Sequence, residues 1–330
     1  MIHFAICGFG FMGSTHARCL AGRSDARLCA IVENNLSNVQ SVDKGGNLSF
    51  KGAEVRLEDV NLHTDLEPIL TMPEVDVVDI CLPVRFHYDW AKRALQAGKH
   101  VLLEKPMLLD PAQGRTLIDL ARTNRRILMV AHVVRFMPAY RTLRKTLKDG
   151  SFGALELIIM QRWAGEPTWG MWKDAEGRRT SGGGLFDLLI HDIDLVNWLL
   201  GKPSHIRSSV FAGPISNHDF VNAVWSYDSG STAILTGGFA FHSCLPFEAR
   251  FLARFEEATV AFDSAKPNTL SISDEHSSES MTLEADPLAG YRGEIEYFIG
   301  CVQNQRWPDE CSPESSLEAV ELALSHLSKQ

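Results

Sequence analysis

Seven cysteines are spread through the 330 residues, an odd number, and no two of them form a Cys-x-x-Cys pair. That usage fits no disulfide framework and suits a reducing compartment, with the cytoplasm as the default. No apolar run reaches the roughly 18 residues that a membrane-spanning helix needs. The opening Met1-Ile2-His3-Phe4-Ala5-Ile6-Cys7 has no basic region ahead of a cleavable apolar stretch, and reads as a strand rather than an export signal. Basic residues are scattered and the net charge is −9, which argues against a nucleic-acid surface. Internal repeats and low-complexity segments are also missing. What remains is an ordinary globular chain, 45% hydrophobic and 22% charged, long enough to bury two cores.

The first part alternates strands and helices. Strand patterns fall at Ile2 to Cys7, Arg27 to Val32, Val75 to Leu82, Lys99 to Leu103 and Ile127 to Ala131. Helical patterns run from the glycine loop to about Leu20, from Asp65 as a cap to about Met72, from Phe86 to Ala97 and from Pro111 to Asn124. Asn34 to Asn61 gives no assignable pattern. Alternation of apolar strands with helices predicts a parallel sheet covered on both faces, a Rossmann domain over residues 1–130. Residues 131–330 read differently. After a helix at Pro138 to Lys148 come long β-type runs at Leu155 to Trp163, Ile206 to Phe211, Val221 to Tyr227, Ser231 to Phe241 and Phe247 to Phe255. Asp228-Ser229-Gly230 marks a hairpin turn. One helix, about Gly184 to Leu200, interrupts the runs, and helices near Ala289–Gln303 and Pro313–Leu327 close the chain. The expected fold class is an α/β Rossmann domain followed by an α+β domain with a large, mostly antiparallel open sheet.

Two constellations carry chemistry. Gly8, Gly10 and Gly13 have the spacing of a dinucleotide loop between strand and helix: a tight turn, a close approach for the pyrophosphate, and close helix–strand packing. Phe11 and Met12 lie with them at the helix N-terminus, where N–H groups and the helix dipole favour phosphate. Glu33, about twenty residues past Gly13 at a strand end, is suited to the adenosine ribose hydroxyls. Its charge would repel a 2′-phosphate, so NAD is favoured over NADP. The second constellation is Asp187, His191 and Asp194, spaced to share one helical face behind Gly182-Gly183-Gly184. A carboxylate beside an imidazole can orient it as a base for the proton that must leave when a hydride acceptor oxidises an alcohol. No third His or Cys completes a metal set there, and no metal is expected. The Glu104-Lys105-Pro106 step, at the end of another strand of the first sheet, offers an ammonium group to a substrate oxygen.

Four blocks occur in order: GFGFMG, LPVRFHYDWAKRALQAGKHVLLEKPM (residues 82–107), HVVRFMPAY (132–140) and GGGLFDLLIHDIDLVNWLLG (182–201). With them the chain resembles, over nearly its whole length, the glucose–fructose oxidoreductase, inositol dehydrogenase and rhizopine-catabolism family (Gfo/Idh/MocA). The resemblance implies that Lys105, Asp187 and His191 are catalytic. Lys105 would bind the reacting oxygen, His191 would take the proton and Asp187 would tune the site. It implies a cis Lys105–Pro106 bond. It further implies that Cys81, Leu82, Pro83 and His87 line the nicotinamide ribose, although Val84 stands where the family often has a small polar residue. Glu104 would meet the cofactor from its strand end. Arg135 falls on a position near the cofactor, with a surface ion pair as the alternative. Trp163 to Ser181 is the most individual stretch. Trp163, Trp169 and Trp172 with Arg162, Lys173, Arg178 and Arg179 suggest a substrate-covering loop, with Arg162, Trp163 and Trp172 at the substrate. A subunit contact is the rival reading. The expected partner is a sugar or polyol, handled by a homodimer or homotetramer assembled through the second domain's sheet. Two other activities stay open: a glycoside hydrolase that uses NAD transiently, and a non-catalytic dinucleotide-binding regulator.

Overall fold

Parallel strands buried on both faces need uninterrupted apolar sequence, and β1 (Ile2–Cys7) supplies it with Phe4, Ala5 and Ile6 fully buried. The computed structural model describes residues 1–40 and 55–327. Half of the 34–61 stretch that gave no pattern, residues 41–54, lies outside the described residues. Following β1 are α1 (Phe11–Leu20), β2 (Ala26–Val32), β3 (Asn61–His63), α2 (Glu67–Thr71), β4 (Val77–Ile80), α3 (His87–Gln96), β5 (His100–Glu104), α4 (Pro111–Thr123) and β6 (Leu128–Ala131). The strands form one parallel sheet in the order β3-β2-β1-β4-β5-β6. Leu66 occupies the N-cap of α2 without a side-chain cap, so Asp65 does not play the capping part expected of it. β3 carries no sequence signal beyond three residues and was not foreseen.

The remaining elements are α5 (Pro138–Asp149), β7 (Leu155–Gly165), α6 (Ala175–Thr180), a π-helical turn (Leu185–Leu189) running into α7 (Ile190–Leu200), β8 (His205–Phe211), β9 (Phe220–Ser226), β10 (Thr232–Phe241), β11 (Glu248–Phe255), β12 (Thr259–Asp263), β13 (Thr269–Ser273), β14 (Ser278–Thr282), α8 (Ala289–Gln303) and α9 (Pro313–Ser325). The chain divides into two compact units, Met1–Val133 with Gly290–Leu317, and Val134–Ala289 with Glu318–Gln330. This departs from two consecutive blocks of 1–130 and 131–330, because residues 290–317 return to the first unit. The reason is packing. Phe298 of α8 is fully buried with its ring 6.1 Å from that of Phe4, and Cys311 donates to the Val130 carbonyl. Burying a phenylalanine is worth about 2–3 kcal/mol, and the local sequence of a helix does not say which sheet supplies the partner.

The second unit holds an eight-stranded sheet, β14-β13-β12-β11-β7-β10-β9-β8. Only the β7–β10 pairing is parallel; the others are antiparallel. Side chains alternate from Ile158 to Ala164 of β7: Ile158, Met160, Arg162 and Ala164 are buried, while Ile159, Gln161 and Trp163 lie on the other face at intermediate exposure. Helices cover the first face. Tyr140 of α5 packs its ring 5.4 Å from Phe251, and Leu188 of the π turn joins Ala164, Trp172 and Phe239 in one apolar cluster. The other face is open, and Phe211, Val224 and Leu252 on it are 53%, 38% and 45% exposed. All seven cysteines are free, and no helix among the described residues is long and apolar enough to cross a membrane.

Candidate active site

The glycine loop turns from β1 into α1 with Gly8 at φ +90°, a conformation that L side chains rarely adopt. A Cβ on Gly8 would also lie 2.6 Å from the Cys81 carbonyl oxygen, and one on Gly13 would lie 2.0 Å from the Gly8 oxygen. Gly10 is the contrast: it is exposed, and a Cβ there would meet nothing within 4 Å among the described residues. The backbone is thus open where a pyrophosphate must approach. The first-turn N–H groups of a helix have no carbonyl of their own helix to bond. The N-cap of α1 is Gly10, which has no side chain to take them, and the first turn, which holds Phe11, Met12 and Gly13, carries no acidic residue. The residues present therefore fit a dinucleotide phosphate group. Glu33, just past β2, is half-buried, and its Oε2 accepts the Phe9 N–H at 2.9 Å while Oε1 accepts from Asn38 at 3.2 Å. The loop and the carboxylate expected to read the ribose are joined directly.

At the carboxyl ends of β4 and β5 lie Cys81, Leu82 and Pro83, all half-buried, then Glu104 and Lys105. Glu104 is 5% exposed and its Oε2 accepts the Lys105 backbone N–H at 3.0 Å; the Lys105–Pro106 bond is cis. His87 is an internal strut rather than an open ligand contact. It is 1% exposed, with Nε2 2.8 Å from the Leu82 carbonyl and Nδ1 3.0 Å from that of Pro106. Burial pushes the His87 pKa down, against the pull of those carbonyls. It ties the turn after β4 to the turn after β5. Burial pushes the Cys81 thiol well up, assisted by Asp79, so the thiol stays protonated.

In the second unit, Asp187 sits within the π turn and His191 at the start of α7, and both are half-buried. The π turn carries the chain from Asp187 to His191, so it is their register that it alters; Asp194, further along α7, faces Arg135 in the interior instead of joining them. Arg135 is 1% exposed and forks onto Asp194 at 2.7 and 2.6 Å, so it is neither a surface ion pair nor an arginine presented to a cofactor. Arg162 is likewise withdrawn from the substrate role expected of it. It is 4% exposed, contacts Asp192 at 2.8–3.1 Å and reaches the Tyr140 hydroxyl at 3.2 Å. Burial lifts the Asp192 pKa and Arg162 opposes that shift. Trp172 is 5% exposed within the apolar cluster under the π turn, and its ring meets Phe239 edge-on. Trp163 points to the opposite, open face, where it contacts Phe241. The tryptophan segment therefore does not converge on one surface. Arg178 pairs with Glu166 at 2.7 Å and Arg179 with Glu176 at 2.9 Å, which leaves Lys173 exposed beside them.

Residues that spacing did not reveal do much of the positioning. Asp219 is fully buried and accepts from Ile215, Ser216 and the Gly184 N–H at the start of the π turn. His16, Asp79 and Glu294 form a buried charged group beneath the glycine loop. Only His16 had a local signal, being one turn past Gly13 on a helix that must pack on the sheet.

The first unit is a dinucleotide-binding Rossmann unit, and the second is an α+β unit bearing a half-buried carboxylate and imidazole on one helix. Comparison with known proteins agrees. Residues 2–132 match the model of an oxidoreductase family with an NAD-binding Rossmann fold, and residues 140–260 match the Gfo/Idh/MocA C-terminal domain. The chain belongs to the Gfo/Idh/MocA family of oxidoreductases. It is 26% identical to an inositol 2-dehydrogenase of Rhizobium meliloti (strain 1021) over 336 residues, covering 98% of this chain and 94% of that one. A scyllo-inositol 2-dehydrogenase (NADP(+)) of Bacillus subtilis (strain 168) is 29% identical over 214 residues, 64% of this chain and 55% of its own. A levoglucosan dehydrogenase, solved in complex with NADH and levoglucosan, shares the fold at TM-score 0.81 and 18% identity, covering 99% of this chain and 96% of that one.

Proposed function

We propose that the protein is an NAD-dependent dehydrogenase that moves hydride between nicotinamide and a secondary alcohol of a sugar, polyol or related cyclic hydroxy compound. The observation that carries this reading is the Glu104–Lys105 step. It stands at the carboxyl end of β5 in the same parallel sheet as the glycine loop, with its peptide held by the Glu104 carboxylate. The dinucleotide, when bound, supplies the hydride acceptor. Lys105 donates a hydrogen bond to the reacting oxygen and stabilises its developing charge. His191 accepts the hydroxyl proton, and Asp187 orients the imidazole. Glu33 supports NAD over NADP, since its carboxylate is fixed at the loop by Phe9 and Asn38. The named activities of the relatives support the substrate class. The open sheet face supports assembly into a homodimer or homotetramer, and the free thiols suit the cytoplasm.

The test is NADH formation by the purified protein across inositols, aldoses, glucosides, sugar acids and anhydrosugars, repeated with Lys105→Ala. One substrate class should give turnover, and the variant should lose roughly 10²–10³-fold of it while still binding NAD. Silence across the panel from protein that purifies with NAD attached would refute the dehydrogenase reading and favour transient redox hydrolysis.

A further inference from the structure

A single histidine links the glycine loop to the lysine step. His16, on α1 one turn past Gly13, is fully buried. Its Nδ1 lies 2.8 Å from Asp79 Oδ2 of β4 and 3.5 Å from Cys81 Sγ. Its Nε2 lies 3.4 Å from Glu104 Oε1 of β5 and 4.0 Å from Glu294 Oε1 of α8. The other oxygen of Glu104 accepts the Lys105 N–H at 3.0 Å. The imidazole therefore stands between carboxylates from two neighbouring strands, and one of those carboxylates holds the peptide from which Lys105 projects.

The protonation state follows from these contacts. The short contact to Asp79 commits the Nδ1 proton. A neutral ring would leave a bare nitrogen lone pair on the Glu104 side, whereas an imidazolium places positive charge 3.4 Å from the Glu104 oxygen, an ion-pair contact rather than an aligned hydrogen bond. Several carboxylates buried without a cation would each carry a large desolvation penalty. Burial works to lower the His16 pKa, but the Asp79 carboxylate 2.8 Å away outweighs it and holds it well above the ordinary imidazole value. A metal is the competing occupant, since His16, Asp79 and Cys81 each offer a ligand atom within 4.8 Å of the others. The 2.8 Å approach of Nδ1 to Asp79 argues otherwise. Two ligand atoms around one tetrahedral zinc stand about 3.3 Å apart, whereas a direct hydrogen bond brings them closer.

We propose that His16, as an imidazolium, is a positioning residue for Lys105, acting through Glu104. The proposal rests on the reading of Lys105 given above. The side chain of His16 does not reach substrate; it fixes the orientation of Glu104, and Glu104 fixes the peptide that begins the lysine step.

The experiment measures single-turnover hydride transfer and, separately, NAD affinity by fluorescence titration, for His16→Gln, Glu104→Gln and each of these combined with Lys105→Ala. Misplacing a catalytic group by about 1 Å costs roughly 10²-fold, so each single variant should slow hydride transfer by roughly ten- to a hundredfold, and His16→Gln, whose side chain is enclosed away from any ligand, should do so with NAD affinity retained. In the Lys105→Ala background the same substitutions should cost nothing further, because residues acting through one another are non-additive. Equal losses in both backgrounds would overturn the proposal, as would NAD affinity of His16→Gln falling in step with rate. So would an unaffected Glu104→Gln, which keeps volume and removes charge and so serves if His16→Gln fails to fold. Stoichiometric zinc in the purified wild type would overturn it too. If Lys105→Ala by itself keeps full rate, the reading of Lys105 fails instead, which is a separate and recognisable result.

Discussion

Replacing Arg135 with leucine tests whether this arginine serves the fold or a ligand. Its guanidinium and the Asp194 carboxylate are 0% and 1% exposed and meet in a two-pronged pair at 2.7 and 2.6 Å. The Trp198 ring lies 5.6 Å from the guanidinium carbon and adds a cation–π contact. Removing one member of such a pair strands a buried charge, at a cost of about 3–5 kcal/mol. For a unit of this size, each kcal/mol lowers Tm by about 2–4 °C, so Arg135→Leu should lose roughly 10 °C or more. Arg135→Leu combined with Asp194→Leu leaves no orphaned charge and should recover most of that loss. Calorimetry of the wild type, both single variants and the double variant gives the coupling energy, and NAD titration of each gives the affinity. NAD affinity should stay level throughout. A weakened affinity with an unchanged Tm, or a coupling near zero, would refute the assignment and return Arg135 to the cofactor.

Three further outcomes follow from the geometry. Glu33→Ser with Asn34→Arg should shift preference toward NADP by about tenfold or more in relative kcat/KM, and unchanged preference would remove Glu33 from the ribose. His100 accepts the Ile127 N–H on Nδ1 at 2.9 Å, and burial first, then Arg126, pushes its pKa from 6.5 down to about 4. The unfolded chain therefore binds the proton first as pH falls, so stability held above pH 6.5 should drop by about 3 kcal/mol on the way down through pH 4. His100→Asn retains an acceptor without titrating, and urea unfolding across that window should show a shallower decline. Leu252→Asp places a charge on the open sheet face at a side chain 45% exposed, so it should leave Tm near wild type and yield smaller particles by light scattering if that face assembles copies.

Parallel strands announce themselves because both faces need apolar residues, which is why β1, β4, β5 and β6 are legible as predominantly apolar runs. The glycine loop was legible because three separate steric demands fix its spacing. β12, β13 and β14 were not, being short, and β14 is exposed throughout in a serine- and glutamate-rich sequence that any loop could share. The return of α8 to the first unit had no local sign either. Its sequence shows an apolar helix, but the Phe4 that Phe298 meets lies at the far end of the chain.

Charge is visible in a sequence, but depth is not. Arg162 and Asp192 are thirty residues apart, and Arg135 and Asp194 fifty-nine, so nothing at either position announces that its partner neutralises it inside the same unit. An arginine in a motif therefore reads as ready for a ligand until its burial is known. A strand over Leu155 to Trp163 already requires Arg162 and Trp163 to face opposite sides of the sheet, since successive side chains alternate. One substrate surface therefore cannot take both side chains. The structure follows the strand: Arg162 lies among the covered polar groups with Tyr140 and Asp192, and Trp163 stands with Phe241 on the open face. Of the residues first grouped at the substrate, Lys105, Asp187 and His191 keep partial exposure on their own units, whereas Arg162 and Trp172 are enclosed. The proposed chemistry requires such exposure of each of the first three, whereas Arg162 and Trp172 are left with the packing around the π turn and α7.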